Sequence, residues 1–331
     1  MVLEGCKIRR SMAKKKALIT GIAGFVGSHM AKLLLEKGFD VYGYTRIRSN
    51  LEHIEDIKDK LHLEEADLLD SHSLYSSIER IKPDVIFHLA AQSFVPTSWV
   101  SPAVTLDVNI VGSANLFEAV RKAKVECVIQ IACSSEEYGM VYEHELPIKE
   151  TNPLRPLSPY AVSKVAMDYL GYQYYQSYGL KIVRTRGFNH TGPGRGDTFA
   201  ESNFAKQIAL IEKKKQDPVI FVGNLDARRD YTDVRDMVKG YLLAVEKCDP
   251  GDVYNICTGN AQRIGDVLQM LLKMSKVKVQ IKEDPSRMRP SDVQILIGDN
   301  TKFVQKTGWK PEIPFEKTMT DLLNYWRERA N

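Results

Sequence analysis

A short apolar run that breaks at spaced glycines and resumes as an amphipathic helix constrains this chain more than any other feature. Residues 16–36 read KALITGIAGFVGSHMAKLLLE, with Gly21, Gly24 and Gly27 between the strand pattern and the helix pattern. Glycines in such a turn let backbone N–H groups approach a pyrophosphate at a helix N-terminus, where the helix dipole favours an anion. The spacing is GxxGxxG, and taken alone it fits a plain tight turn equally well. The rest of the chain repeats the alternation. "DVYGYT", "LHLEEADL", "DVIFHLAA", "VECVIQIA" and "KIVRTRGF" read as strands. Helical patterns lie between them: "DSHSLYSSIERI", a stretch from about Val104 to Lys122, and one from about Ser158 to Tyr178. Strands alternating with crossover helices make βαβ units. The expected fold class is α/β, a Rossmann-type doubly wound parallel sheet.

After residue 188 the character changes. Glycine and proline cluster in "NHTGPGRGD", and helices and short strands then mix irregularly. The expected division is a basic tail over 1–14, disordered or extended, a dinucleotide-binding Rossmann domain over 15–188, and a smaller mixed α/β substrate lobe over 189–331. Some of that lobe is expected to return to the Rossmann sheet. The 331 residues are 44% hydrophobic and 27% charged, enough for a sizeable core. Net charge is +4, but Lys7, Arg9, Arg10, Lys14, Lys15 and Lys16 at the start account for it against a single acid, Glu4. The remainder is near neutral, which argues against nucleic acid as a partner. No apolar run reaches the ~18 residues of a membrane-spanning helix. Cys6, Cys127, Cys133, Cys248 and Cys257 form no CxxC pair, so free thiols in a reducing cytoplasm and no metal are expected.

The tip of the second strand reports on the ribose of a bound dinucleotide. An acid there suits NAD and an arginine suits NADP. "YGYTRIRSN" offers Arg46 and Arg48 and no acid, which favours NADP, although both could be surface charges. Asp67 could meet an adenine amino group or cap the next helix. Further along, "VECVIQIACSSEEYGM" is an apolar strand that ends in two hydroxyls and two carboxylates. By strand alternation, Ser134 and Glu136 share a face, and Ser135 and Glu137 face elsewhere. "SPYAVSK" places Tyr160 and Lys164 four residues apart on one helix face. A neighbouring ammonium stabilises the phenolate, and a lowered phenol pKa allows acid–base work near neutrality. His88 reads as a structural strand residue. Arg228, Arg229 and Arg289 are either anion ligands or solvated charges.

Taken together, "TGIAGFVG", "HLAAQS", "SSEEYG", "SPYAVSK", "FNHTGPGRG" and "GNLDARRDYTDVRD" resemble the extended short-chain dehydrogenase/reductases that act on nucleotide sugars. Within them the chain is most similar to the GDP-mannose 4,6-dehydratases and GDP-6-deoxy-4-keto-mannose reductases, from about Lys15 to Arg327. The glycine loop departs from the "TGQDG" usual in the dehydratases. The resemblance implies Ser134, Glu136, Tyr160 and Lys164 as catalytic residues. It implies NADP contacts at Gly21, Gly24, Phe25, Val26, Gly27, Arg46, Asp67 and Leu68. Others fall at Leu89, Ala90, Ala91, Gln92, Ser93, Tyr160, Lys164, His190 and Arg195. Nucleotide-sugar contacts would fall on Ser93, Asn189, Asn203, Lys206, Arg229 and Arg289, since guanidinium groups suit phosphates. The implied activity is conversion of GDP-mannose, or a GDP-manno-heptose, to its 4-keto-6-deoxy sugar. A reductase of the 4-keto sugar, an epimerase and a non-catalytic NADP-binding regulator are the alternatives. The family also implies a cytoplasmic homodimer or homotetramer built on the two long helices.

Overall fold

The computed structural model describes residues 14–287 and 293–330. Six strands follow the expected alternation: β1 (Lys16–Thr20), β2 (Asp40–Thr45), β3 (His62–Glu65), β4 (Val85–His88), β5 (Val128–Ser134) and β6 (Lys181–Gly187). Four more strands come next, β7 (Asn189–Thr191), β8 (Val219–Val222), β9 (Arg228–Asp233) and β10 (Val253–Ile256). The last three are β11 (Ala261–Arg263), β12 (Gln280–Glu283) and β13 (Ile295–Leu296). A seven-stranded parallel sheet has the order β10-β6-β5-β4-β1-β2-β3, so the fold class is as expected. The order reverses between β1 and β4, and the crevice at such a reversal is where open α/β sheets bind ligands.

Helices cover both faces. Those of the first half are α1 (Phe25–Glu36), α2 (Ser71–Ile81), α3 (Val95–Val100), α4 (Pro102–Leu106), α5 (Gly112–Ala123) and α6 (Pro159–Tyr178). Then come α7 (Ala200–Glu212), α8 (Val234–Lys247), α9 (Ile264–Met274), α10 (Thr301–Thr307) and α11 (Phe315–Arg329). Strand alternation sorts the core. Ala17 and Ile19 of β1 pack with Met30 and Leu34 of α1 and Met237 of α8. Leu18, between them, packs on the other face with Leu74 and Ile78 of α2, Phe117 of α5 and Met167 of α6. Burial of each Leu, Ile, Phe or Met among them is worth about 1.5–3 kcal/mol. A separate cluster joins Phe204, Leu268 and Leu322 beneath β8, away from the large sheet.

Local signals explain the ends of the functional helix. Ser158 Oγ accepts the Ala161 N–H at 3.1 Å and Pro159 opens α6, while Gly179 at φ +70° closes it. The helix expected from Val104 to Lys122 differs in detail. It is α4 and α5 joined by a π-helical turn over Asp107–Val111. Apolar spacing marks the stretch as helical and does not locate a single π turn within it. All described cysteines are free and buried. Among the described residues no helix is long and apolar enough to cross a membrane. The tail expected over 1–14 lies outside the described residues except for Lys14.

Candidate active site

A cleft of about 840 Å³ opens along the C-terminal ends of β1, β2, β4 and β5. Its floor at the reversal point is the glycine turn. Gly21 takes φ +73°, and Gly24 caps α1 while its N–H donates to Gly21 O at 3.0 Å. A Cβ on Gly27 would stand 2.2 Å from Gly21 O, so only glycine lets the helix pack against its own turn. One end of the cleft is bounded by Arg46, Arg48, Ser49 and Asn50 beyond β2 and by Asp67 and Leu68 beyond β3. The loop after β4 supplies Leu89 through Ser93. Asp67 Oδ1 accepts the Leu69 N–H at 2.8 Å, whereas the cap of α2 is Asp70.

The residues present suit an anionic dinucleotide. The first turn of α1 presents its N–H groups to the cleft. Arg195 reaches in from the loop after β7, its guanidinium 3.3 Å from the Phe199 ring centroid and 5.2 Å from that of Phe25. Its Nε is buried without a hydrogen-bond partner, and the nearest carboxylate, Glu201, stands 3.9 Å away. A mostly buried cation so poorly neutralised is poised for an anion. His190 stacks on Phe25 and donates Nδ1–H to Phe188 O at 3.0 Å; burial pushes its pKa down to about 4.

At the other end Ser134, Glu136, Tyr160 and Lys164 line the same wall. β5 ends at Ser134 and a 3₁₀ turn over Ser135–Glu137 follows. Ser134 Oγ accepts the Glu136 N–H at 3.2 Å. Glu137 turns inward instead. Its Oε1 accepts the Ser134 N–H at 2.8 Å, and its Oε2 lies 3.2 Å from Arg186 Nε. Burial and the nearby Asp168 push the Glu137 pKa well up. Strand alternation therefore correctly turns Glu137 away from the cleft. It fails for Ser135, which lines the cleft, because the pleat has already become a turn. Cys133, Glu137 and Asp168 bring potential metal ligands together, but Arg186 already binds both acids.

Lys164 is buried and donates to Ala132 O at 2.7 Å, with its Nζ 5.8 Å from the Tyr160 ring centroid. The lowered phenol pKa expected from this pair is not what the site produces. Burial dominates and pushes Tyr160 up, the Ser134 hydroxyl bonded to it pulls the other way, and Glu136 adds to the rise. Arg195 is the cation that pulls it down. Burial likewise pushes Lys164 down.

The expected sugar-nucleotide ligands divide between two places. Ser93, Asn189 and Arg229 line the cleft. Asn203 and Lys206 lie on α7 in a separate hollow of about 570 Å³ with Gln207, Phe221, Lys282 and Arg287. There Lys206 pairs with Asp197 at 2.6 Å and Asn203 accepts from Arg287 at 2.9 Å. Arg289 lies outside the described residues. Phe199, Val95, Val104 and Tyr241 also line the cleft and carry no sequence signal, since each reads as an ordinary apolar or aromatic position. Arg287 does carry a signal, since it stands two residues before Arg289 in the same polar segment.

The family model for GDP-mannose 4,6 dehydratase matches residues 18–322. The chain belongs to that family. A GDP-6-deoxy-D-mannose reductase of Pseudomonas aeruginosa is 32% identical over 316 residues, spanning 96% of this chain and 98% of the relative. A GDP-mannose 4,6-dehydratase of Vibrio cholerae is 34% identical over 352 residues, spanning 94% and 93%. The solved structure of RMD from P. aeruginosa complexed with NADPH superposes with a TM-score of 0.83 at 31% identity, covering 96% of this chain and all of that one. Family membership thus comes with two activities among the relatives. The dehydratase alignment is longer than the reductase alignment for a similar share of this chain, so that dehydratase carries insertions which this chain lacks.

Proposed function

We propose that the protein is an NADP-dependent 4,6-dehydratase that converts GDP-mannose, or a GDP-manno-heptose, to the 4-keto-6-deoxy sugar. The observation that carries this reading is Glu136, a carboxylate on the same cleft wall as Ser134, Tyr160 and Lys164. Reduction of a ketone needs no such base; elimination of water does. NADP, when bound, supplies hydride exchange with the sugar carbons. Its pyrophosphate would be held by the first turn of α1 and Arg195, and its ribose phosphate by Arg46 with Arg48 beside it. Asp67 and Leu68 would border the adenine. We assign residues 15–188 to the cofactor and 189–331 to the nucleotide sugar, with β10 returning to the main sheet.

In this reading Tyr160 takes the proton of the sugar 4-hydroxyl and Ser134 hydrogen-bonds the C4 oxygen as its charge changes. The Ser134 hydroxyl and Arg195 favour the phenolate, and Lys164 would hydrogen-bond the nicotinamide ribose. A C4 ketone acidifies the C5 hydrogen, and Glu136 removes it and protonates the departing C6 hydroxyl as water. The hydride lost from C4 would return to C6 by way of the cofactor and a proton to C5, balancing the one taken by Tyr160, so no net oxidation occurs. Ser93, Asn189 and Arg229 would hold the sugar and its pyrophosphate, and Asn203 and Lys206 the nucleoside. We place the enzyme in the cytoplasm as a homodimer or homotetramer.

A second reading, NADPH-dependent reduction of the 4-keto sugar, is favoured by the compact alignment with the P. aeruginosa reductase. Incubation of purified protein with GDP-mannose and no added NADPH separates the two. The dehydratase yields a product lighter by one water. No product, together with NADPH consumption on the 4-keto sugar, establishes the reductase instead. Glu136→Gln should abolish water loss; undiminished elimination would remove Glu136 from the role of base.

A further inference from the structure

His88 closes β4 with its side chain fully buried, and both ring nitrogens are engaged. Nδ1 is 2.8 Å from Thr20 Oγ1, and Nε2 is 3.0 Å from Ser113 Oγ. The proton positions follow from donor counting. Thr20 Oγ1 already accepts the N–H groups of Leu89 and Ala90, both at 3.1 Å. With both lone pairs used, its hydroxyl can only donate, so Nδ1 of His88 accepts. Ser113 Oγ donates to Asn109 O at 2.5 Å and is free to accept, so Nε2 carries the hydrogen.

The chain of bonds continues to the reaction end of the cleft. Asn109 stands in the π turn. Its amide accepts the Gln92 N–H at 2.8 Å and donates to Gln92 O at 3.1 Å and to Ser163 Oγ at 2.8 Å. Ser163 donates to Tyr160 O at 2.6 Å. One connected network therefore ties the end of β1, which leads into the glycine turn, to the loop 89–93 and to the helix that bears Tyr160 and Lys164. We propose that His88, fixed as the neutral Nε2–H tautomer, is a positioning residue that sets the cofactor loop 89–93 in register with the Tyr160 helix. It touches neither substrate nor cofactor; it acts through Thr20 on one side and Ser113 and Asn109 on the other. Burial and the Lys164 ammonium, which together push the imidazole down to about 3, support a ring that stays neutral. This role rests on the use of the cleft for NADP proposed above.

Two measurements test it. Histidine-labelled ¹⁵N NMR of the unmodified protein, with the His88→Gln variant to assign the signal, should show one neutral Nε2–H ring from about pH 8 down to about pH 5. An Nδ1–H or doubly protonated ring overturns the proposal. NADPH titration is the second, read well below the melting temperature so that a merely structural role would leave affinity unchanged. His88→Phe, which fills the space without hydrogen bonds, should weaken NADPH about tenfold or more, and His88→Gln, which keeps the donor toward Ser113, should stay within about threefold. Equal affinity for His88→Phe and the unmodified protein overturns the proposal. Where His88→Phe does not fold, Ser113→Ala takes its place, with weaker NADPH binding expected and unchanged binding fatal. The titration needs no sugar, so a failure of the dehydratase reading leaves it readable. Absence of NADPH binding in the unmodified protein would sink the functional reading itself, while the NMR result still decides the tautomer.

Discussion

Ser134 and Tyr160 meet at the reaction end of the cleft, and their bond has a measurable consequence. The Ser134 hydroxyl favours the Tyr160 phenolate against the burial that disfavours it. Removing a group that lowers a pKa raises it. Ser134→Ala should therefore move the rising limb of the kcat–pH profile to higher pH by about one unit, the scale of one hydrogen bond to a charged group. Ser134→Thr keeps the hydroxyl and should leave the limb in place. An unmoved limb in Ser134→Ala would separate the serine from the tyrosine. Buried histidines set a second pH dependence. His88 and His190 are held at about 3 and about 4, below the ordinary 6.5. Between those values and 6.5 the unfolded chain binds protons that the folded protein does not, so stability falls as pH drops through that window. Each histidine contributes at most about 1.4 kcal/mol per pH unit there. Denaturant melts of the unmodified protein should lose stability from pH 6.5 downward, and His88→Gln should flatten that slope. A slope identical in both would show that His88 does not supply it.

At the scale of elements, the glycine turn makes the sharpest prediction. A methyl at Gly27 would collide with backbone at 2.2 Å, while one at Gly24 would meet Gly21 O at 3.2 Å, a contact that a small shift relieves. Gly27→Ala should lose NADPH affinity by about a hundredfold or fail to fold, and Gly24→Ala should lose about tenfold or less. Fluorescence titration of NADPH reads both, and equal losses would contradict this account of the turn. That turn, the parallel sheet and the spacing of Tyr160 and Lys164 are legible in the sequence because each rests on local order: glycines three apart, alternating strand and helix patterns, and a step of four residues. Other features are not local. The π turn that carries Asn109 is set by backbone packing and is not located by apolar spacing. The rise in the Tyr160 pKa comes from burial by distant segments, which no spacing records. The split of Asn203 and Lys206 from Arg229 depends on how α7 and β9 pack, so residues read as one ligand set fall in two hollows.

At the scale of the whole molecule, α6 carries more apolar surface than one chain covers. Its inner side buries Met167 and Tyr174. Its outer side leaves Val162, Tyr169 and Tyr172 exposed, at 45%, 56% and 42%. Those positions are seven and three apart, so they lie along one face of the helix. Val104 of α4 and Val111 of the π turn, also seven apart, are exposed as well, and α4 and the π turn both pack against α6. A contiguous apolar face of this kind marks an interaction surface rather than scattered exposure. A twofold contact would set each copy's α6 against the other's and bury the face on both at once. Light scattering coupled to gel filtration should therefore give at least twice the 37.5 kDa of one chain. Tyr169→Glu combined with Val111→Lys places charges on the face and should halve the measured mass of a dimer. Neither Tyr169 nor Val111 lines the cleft, so NADPH affinity per chain should change by less than about threefold, within the usual range for surface substitutions. A monomeric unmodified protein, or a double variant of unchanged mass, would mean that these helices do not form the contact.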